Sequence, residues 1–170
     1  VIAAIGLTMP VFARLGAAIL NGLKAVGVIS AAKDFPGHGS ASEDSHKTLP
    51  EIRLSTAELS ATHLAPFRKA IELGVPAIMT VHILFPALDK KNPATLSSAV
   101  LTGLLKEDLG YGGLVITDSL DMGAITRRMS IHKAAAAIPT DATGCRCRKS
   151  PPPDRAPRPG PSRRPRNFPS

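Results

Sequence analysis

Aromatic side chains are scarce: the 170 residues hold five Phe, one Tyr and no Trp. A core can still form, because 44% of the residues are hydrophobic, but it must be largely aliphatic. Cysteine is nearly absent. Cys145 and Cys147 stand one residue apart near the C-terminal end. That spacing excludes a disulfide framework, and C-x-C with no further ligand types beside it is a weak metal signal. No apolar run reaches the roughly 18 residues needed to span a bilayer. No signal peptide is visible behind Val1, and since that stretch already reads as protein interior, its absence carries no information about export. Acidic residues are missing from one region alone. Residues 144–170 carry eight Lys and Arg against the single acid Asp154, whereas residues 1–143 carry 13 against 12. The pI near 10 therefore belongs to the tail, and the body is close to neutral. Any attraction for nucleic acid or anionic membranes is confined to that tail. Its arginines have no interleaved aromatics except Phe168, so a base-stacking platform is excluded and phosphate attraction would be generic.

What the body does contain is an ordered series of apolar segments. Residues 10–25 place Val11, Leu15, Ala18, Ile19 and Leu23 at helical spacing, with Pro10 suited to a first turn. After Gly27, Val28–Lys33 reads as a short buried strand. Ser55 with Glu58 forms a capping box, which opens a helix running through Leu59, Leu64, Phe67 and Ile71 to Gly74. Val75–Ile83 is the next strand. A helix over Ser98–Leu109 stops at Gly110, and Gly113–Thr117 is the third strand. His132–Ile138 begins another helix. Helix and strand alternate, and each strand is a continuous apolar run rather than an alternating one. That pattern predicts an α/β fold with parallel strands covered on both faces. The loops after the strands are long and polar, so function belongs at the C-terminal ends of the strands. Residues 1–138 form this domain. Residues 139–170 hold nine Pro and no apolar periodicity, which predicts a disordered C-terminal tail.

Chemistry concentrates in two places. Lys33–Pro50, KDFPGHGSASEDSHKTLP, packs a lysine, two histidines and several acids into one Gly- and Pro-rich loop. Further along, GGLVIT delivers Asp118 at a strand end. A loop histidine accompanied by an acid, together with a strand-tip carboxylate, is the equipment of a double-displacement hydrolase. Position alone leaves alternatives open. Asp118 reads equally as a cap for the turn Ser119–Asp121, and Asp44 and His46 as two solvated loop residues. His38, Asp44 and His46 are also metal-ligand types, but their spacing is not that of a helical H-E-x-x-H site, so no metal is expected.

The segments KDFPGHG, DSHKTLP, PFRKAIELGVPAIMTVHI and PATLSSAVLTGLLKEDLGYGGLVITDSLDMGAI resemble glycoside hydrolase family 3, in its bacterial β-N-acetylhexosaminidase (β-N-acetylglucosaminidase) branch. The resemblance runs from about Phe12 to Ile138 and implies a (β/α)8 TIM barrel, which typically takes about 250 residues. The chain therefore reads as a partial barrel, a fragment lacking the N-terminal half, with its Arg/Pro tail the composition of GC-rich DNA read out of frame. The implied reaction removes a terminal β-N-acetylglucosamine with retention. Asp118 is the implied nucleophile, and His46 the acid and base, with Asp44 orienting its ring. Lys33 is implied as a donor to sugar hydroxyls. Asp34 stands where the family usually has histidine, exchanging a donor for a negative charge. His38, between glycines, reads as a residue holding the substrate loop, and His82 as a wall residue on the same side of the sheet. The arginine with which this branch grips the sugar has no match; Arg14 sits in a helical pattern. His63 and His132 read as exposed. No cofactor is implied. The expected partner is a carbohydrate, an N-acetylglucosamine-containing glycan or muropeptide, and the implied compartment is the cytoplasm. A related β-glycosidase of other sugar specificity and a catalytically inert fragment are the alternatives. An open barrel also exposes sheet edges, which predicts self-association.

Overall fold

The computed structural model describes residues 9–39, 41 and 43–139. The expected tail at 139–170 lies outside these residues apart from Pro139. Helix α1 (Met9–Ala25) leads to strand β1 (Ala31–Phe35). A long loop then reaches α2 (Thr56–Ala61) and α3 (Leu64–Glu72), followed by β2 (Ala77–Thr80). A 3-10 turn (Ala94–Leu96) and a π-helix (Ala99–Asp108) precede β3 (Leu114–Thr117), and α4 (Gly123–Thr126) and α5 (Ile131–Ala137) follow. The three strands are parallel in the order β1-β2-β3. The alternating helix–strand order and the parallel sheet agree with the sequence pattern.

Register fixes where the strand tips lie. Ala31, Ala77 and Leu114 are level at one end, and Phe35, Thr80 and Thr117 at the other. The register of β1 shifts between Ala32 and Phe35, where Asp34 adopts φ 72°. Each strand starts one to three residues later than its apolar run. The leading residues Val28 and Ile29 are exposed and pair with no strand among the described residues.

Three local departures from the sequence pattern have physical causes. The predicted continuous helix after Ser55 is two helices. Pro66 lacks an N–H and its ring conflicts with the carbonyl four residues back, that of Thr62, so the first helix ends there. The Thr62 hydroxyl donates to the Glu58 carbonyl at 2.6 Å and completes the break. The helix after Ser98 has the wider π hydrogen-bond pattern, closing with the Leu109 N–H on the Leu104 carbonyl. Apolar spacing over so short a run does not separate the two helix types. Finally, α1 forms as expected, but Leu15 and Ile19 on it are exposed. The helix packs against α3, and Leu20 on it packs against the core.

The capping box is present in full. Ser55 Oγ accepts from the Glu58 N–H, and Glu58 Oε2 accepts from the Ser55 N–H at 2.8 Å. The core lies between the sheet and the helices. It centres on Phe35, Leu59, Ile78, Ile83, Phe85, Leu101 and Leu105, all fully enclosed, with Phe35 edge-on to Phe67 at 5.0 Å. Among the described residues no helix is long and apolar enough to cross a membrane.

Candidate active site

The C-terminal rim of the sheet gathers the chemistry-bearing residues. β1 ends in Lys33, Asp34 and Phe35, β2 continues into Val81 and His82, and β3 hands over to Asp118. The Asp118 N–H donates to the Thr80 carbonyl at 3.3 Å, which extends the β2–β3 ladder by one step and fixes the carboxylate at the strand tip. Its Oδ1 accepts from the Ser119 N–H at 2.8 Å. The Ser119 hydroxyl in turn donates to Asp121, which places Asp121 as a turn residue.

The loop after β1 crosses this rim. It turns through His38, whose carbonyl accepts from the Ala41 N–H at 2.9 Å. It then reaches the turn after Asp118. The His46 carbonyl accepts from the Gly123 N–H at 3.0 Å, and the Ser45 carbonyl from the Ala124 N–H at 3.3 Å. The approach is tight. A Cβ on Gly123 would lie 2.7 Å from the His46 carbonyl oxygen and 2.6 Å from that of Lys47, so only glycine fits. The loop then pairs Glu51 with Leu84, in the segment that follows β2. The loop that carries His46 is thus tied to the turn after Asp118, at the C-terminal mouth of the sheet.

Within that mouth the predicted pairings differ in detail. Asp44 Oδ1 accepts the backbone N–H of His46 at 2.9 Å. The acid therefore restrains the histidine's backbone, an Asx-type arrangement two residues long. Lys33 Nζ lies 3.8 Å from Asp34 Oδ1, and both side chains are about a third exposed, 33% and 29%. The lysine thus partly offsets the charge that Asp34 adds.

Two histidines carry roles that sequence reading placed otherwise or only loosely. His82 is completely buried. Its Nε2 is 2.9 Å from the Ser119 carbonyl oxygen and its Nδ1 is 2.9 Å from Thr95 Oγ1. Thr95 also lies 2.9 Å from Thr80 Oγ1 and 3.0 Å from the Val81 carbonyl. Burial holds the His82 imidazole below the ordinary histidine value, while its bond to Ser119 and the charge of Asp118 pull the other way. His63 is half-buried rather than exposed, because it fills the space beside Gly37, where a Cβ would run into the His63 ring. Burial lowers its imidazole as well. Its Nδ1 meets the Thr62 hydroxyl at 2.9 Å, and its Nε2 is enclosed with no partner among the described residues. The only local signal for His63 was Pro66, which forces a turn at the end of α2. His132 is exposed, as expected.

Comparison with known proteins fixes the wider frame. The profile of the Glycosyl hydrolase family 3 N terminal domain matches residues 6–145. This chain belongs to glycoside hydrolase family 3. The family's N-terminal domain is a TIM-barrel-like α/β fold, so the three parallel strands are part of such a barrel. A β-hexosaminidase A of Pseudoalteromonas piscicida is 40% identical over 128 residues, covering 68% of this chain and 21% of that protein. A β-hexosaminidase of Neisseria meningitidis is 43% identical over 110 residues, covering 65% of this chain and 30% of that protein. Among solved structures, a family 3 β-N-acetylglucosaminidase from Paenibacillus superposes with a TM-score of 0.74 at 46% identity. It is matched over 75% of this chain and 24% of its own. The chain thus spans less than a third of the length of these relatives.

Proposed function

We propose that the chain carries the nucleophile and the acid/base of a retaining β-N-acetylglucosaminidase, acting on the terminal sugar of N-acetylglucosamine-containing glycans. In this reading the Asp118 carboxylate attacks the anomeric carbon as the His46 imidazolium gives its proton to the departing glycosidic oxygen. A glycosyl ester on Asp118 results. Neutral His46 then takes a proton from water as that water attacks the same carbon, and the sugar leaves with its configuration retained. Lys33 donates to sugar hydroxyls and Asp34 accepts from them, with His38 holding the substrate loop. Asp44 holds the His46 backbone through Oδ1, and its Oδ2 is the oxygen for the ring. Muropeptide-like wall fragments and a cytoplasmic setting are what the likeness to the hexosaminidase branch suggests for substrate and compartment.

The observation that carries this reading is the pair of backbone bonds from Gly123 and Ala124 to His46 and Ser45. They tie the histidine loop to the turn that follows Asp118, which supports the approach of the two groups that a two-step displacement requires. The test is turnover of a chromogenic aryl β-N-acetylglucosaminide by the chain and by Asp118→Asn and His46→Ala. Loss of the acid/base should lower turnover by about 10²- to 10⁴-fold, with the smallest deficit for leaving groups that need no proton. Asp118→Asn should abolish the glycosyl-enzyme seen by mass spectrometry. Turnover that survives Asp118→Asn unchanged would sink the assignment.

A second reading is favoured by one feature of the surface. Val26 and Ile29 are 73% and 81% exposed and Leu114 is 50% exposed, and β1 and β3 are both edge strands among the described residues. In that reading the isolated chain is inert and self-associates through this apolar rim. Sedimentation of the sample used for the assay separates the two readings.

A further inference from the structure

His82 is bonded to the residue that follows the candidate nucleophile. Deep burial of an imidazole with both ring nitrogens engaged is demanding, since each must meet a group of the right kind. The Ser119 carbonyl can only accept, so Nε2 carries a hydrogen. In the neutral ring Nδ1 then accepts from the Thr95 hydroxyl, while the Thr80 hydroxyl donates to Thr95. If the ring gains a proton, Nδ1 becomes a donor to Thr95, whose hydrogen turns to the Val81 carbonyl 3.0 Å away. Thr95 thus satisfies either state of the ring. The bond from Nε2 to Ser119 survives in both.

Ser119 is held at both ends of its backbone. Its carbonyl is taken by His82, and its N–H is given to Asp118 Oδ1. The restraint passes from the buried ring, through one residue, to one oxygen of the carboxylate. Oδ2 has no hydrogen bond among the described residues and is the oxygen left to attack. We propose that His82 is a positioning residue for Asp118: its Nε2–H, oriented by Thr95, clamps the Ser119 carbonyl and so fixes which carboxylate oxygen faces the sugar. The proposal deepens the glycosidase reading and rests on it for the meaning of the attack. The clamp itself does not depend on turnover. Positioning of this kind acts on the chemical step, because a carboxylate that swivels loses its near-attack geometry.

Two sets of measurements on the full chain test it. The first needs no activity. Long-range 15N NMR of the His82 ring should find the Nε2-protonated tautomer at neutral pH, and Asp118→Asn should move the His82 titration midpoint down, because a neighbouring negative charge is removed. An Nδ1-protonated ring, or a midpoint indifferent to Asp118→Asn, would overturn the clamp. The second set is kinetic. His82→Gln keeps one N–H donor toward Ser119, whereas His82→Leu keeps none. The expected result is a kcat lowered at least tenfold in His82→Leu with KM little changed, and largely restored in His82→Gln. Equal loss in both variants despite native-like circular dichroism would also overturn it. If His82→Leu does not fold, the tautomer and the Asp118→Asn titration decide. If the parent chain turns nothing over, the glycosidase reading fails by itself, and the NMR arm still settles the clamp.

Discussion

Asp34 shows how much one residue's chemistry and its backbone can be separated. Its φ of 72° lies in the left-handed region, which disfavours residues with a Cβ by about 1–2 kcal/mol. Aspartate, asparagine and histidine tolerate that region better than most. The resemblance expects histidine at this position, so the exchange respects the backbone and changes only what faces the site. The ion pair with Lys33 is long and partly exposed, and adds little stability. Asp34→Ala should therefore lower stability by about 1 kcal/mol while Asp34→Gly does not, measured by thermal denaturation. Asp34→His should fold like the parent and bind N-acetylglucosamine more tightly by calorimetry, since a donor returns and a negative charge leaves the mouth. Weaker binding would show that Asp34 itself grips the sugar. The apolar runs were enough to put Asp118 just after a strand and His46 in the loop after another, and the chain folds that way; the roles assigned to them came from the family resemblance alone. It did not show what Asp44 grips. A carboxylate two residues before a backbone N–H closes on it locally, and that competition is invisible in the motif D-x-H.

At the scale of elements, the alternation of apolar runs and capping signals was enough to read the order of helices and strands. Ser55 with Glu58 is the clearest case, since both halves of the capping box are made within four residues of chain. Contacts that depend on distant chain were not legible. Gly123 reads as an ordinary small residue in DMGAI, yet it admits the carbonyls of His46 and Lys47 from a loop far away in sequence. Likewise Gly37 is spoken for by His63. Gly123→Ala is the direct test of the first contact. The new methyl must push the loop away from α4 at a cost of about 1–3 kcal/mol. On the proposed function, turnover should fall further than stability alone explains, because the loop carrying His46 moves while the Asp118 turn stays. A melting temperature within a degree of the parent, with full activity, would show that the loop is not held there.

For the whole molecule, the buried titratable groups set a window of stability on both sides of neutrality. Burial lowers the imidazoles of His63 and His82 below 6.5 and pushes the Tyr111 hydroxyl up to about 12 from 10. Below pH 6.5 the unfolded chain binds protons that these two histidines refuse in the folded state, so stability falls with pH until their folded values are passed. It is fully present above 6.5. Tyr111 works in the opposite sense. Its folded value is raised, so its contribution is whole below pH 10 and is lost as pH rises toward 12, where the unfolded phenol ionises first. Burial disfavours its charged form, and its hydroxyl donates to the Val75 and Leu114 carbonyls. Urea denaturation midpoints across the range should therefore form a plateau from about pH 6.5 to 10. His63→Gln should shallow the acid limb and leave the alkaline limb alone, and Tyr111→Phe should do the reverse. An acid limb that begins only below the carboxylate range, with both histidines in place, would mean that their rings take up protons in the folded chain as easily as in water.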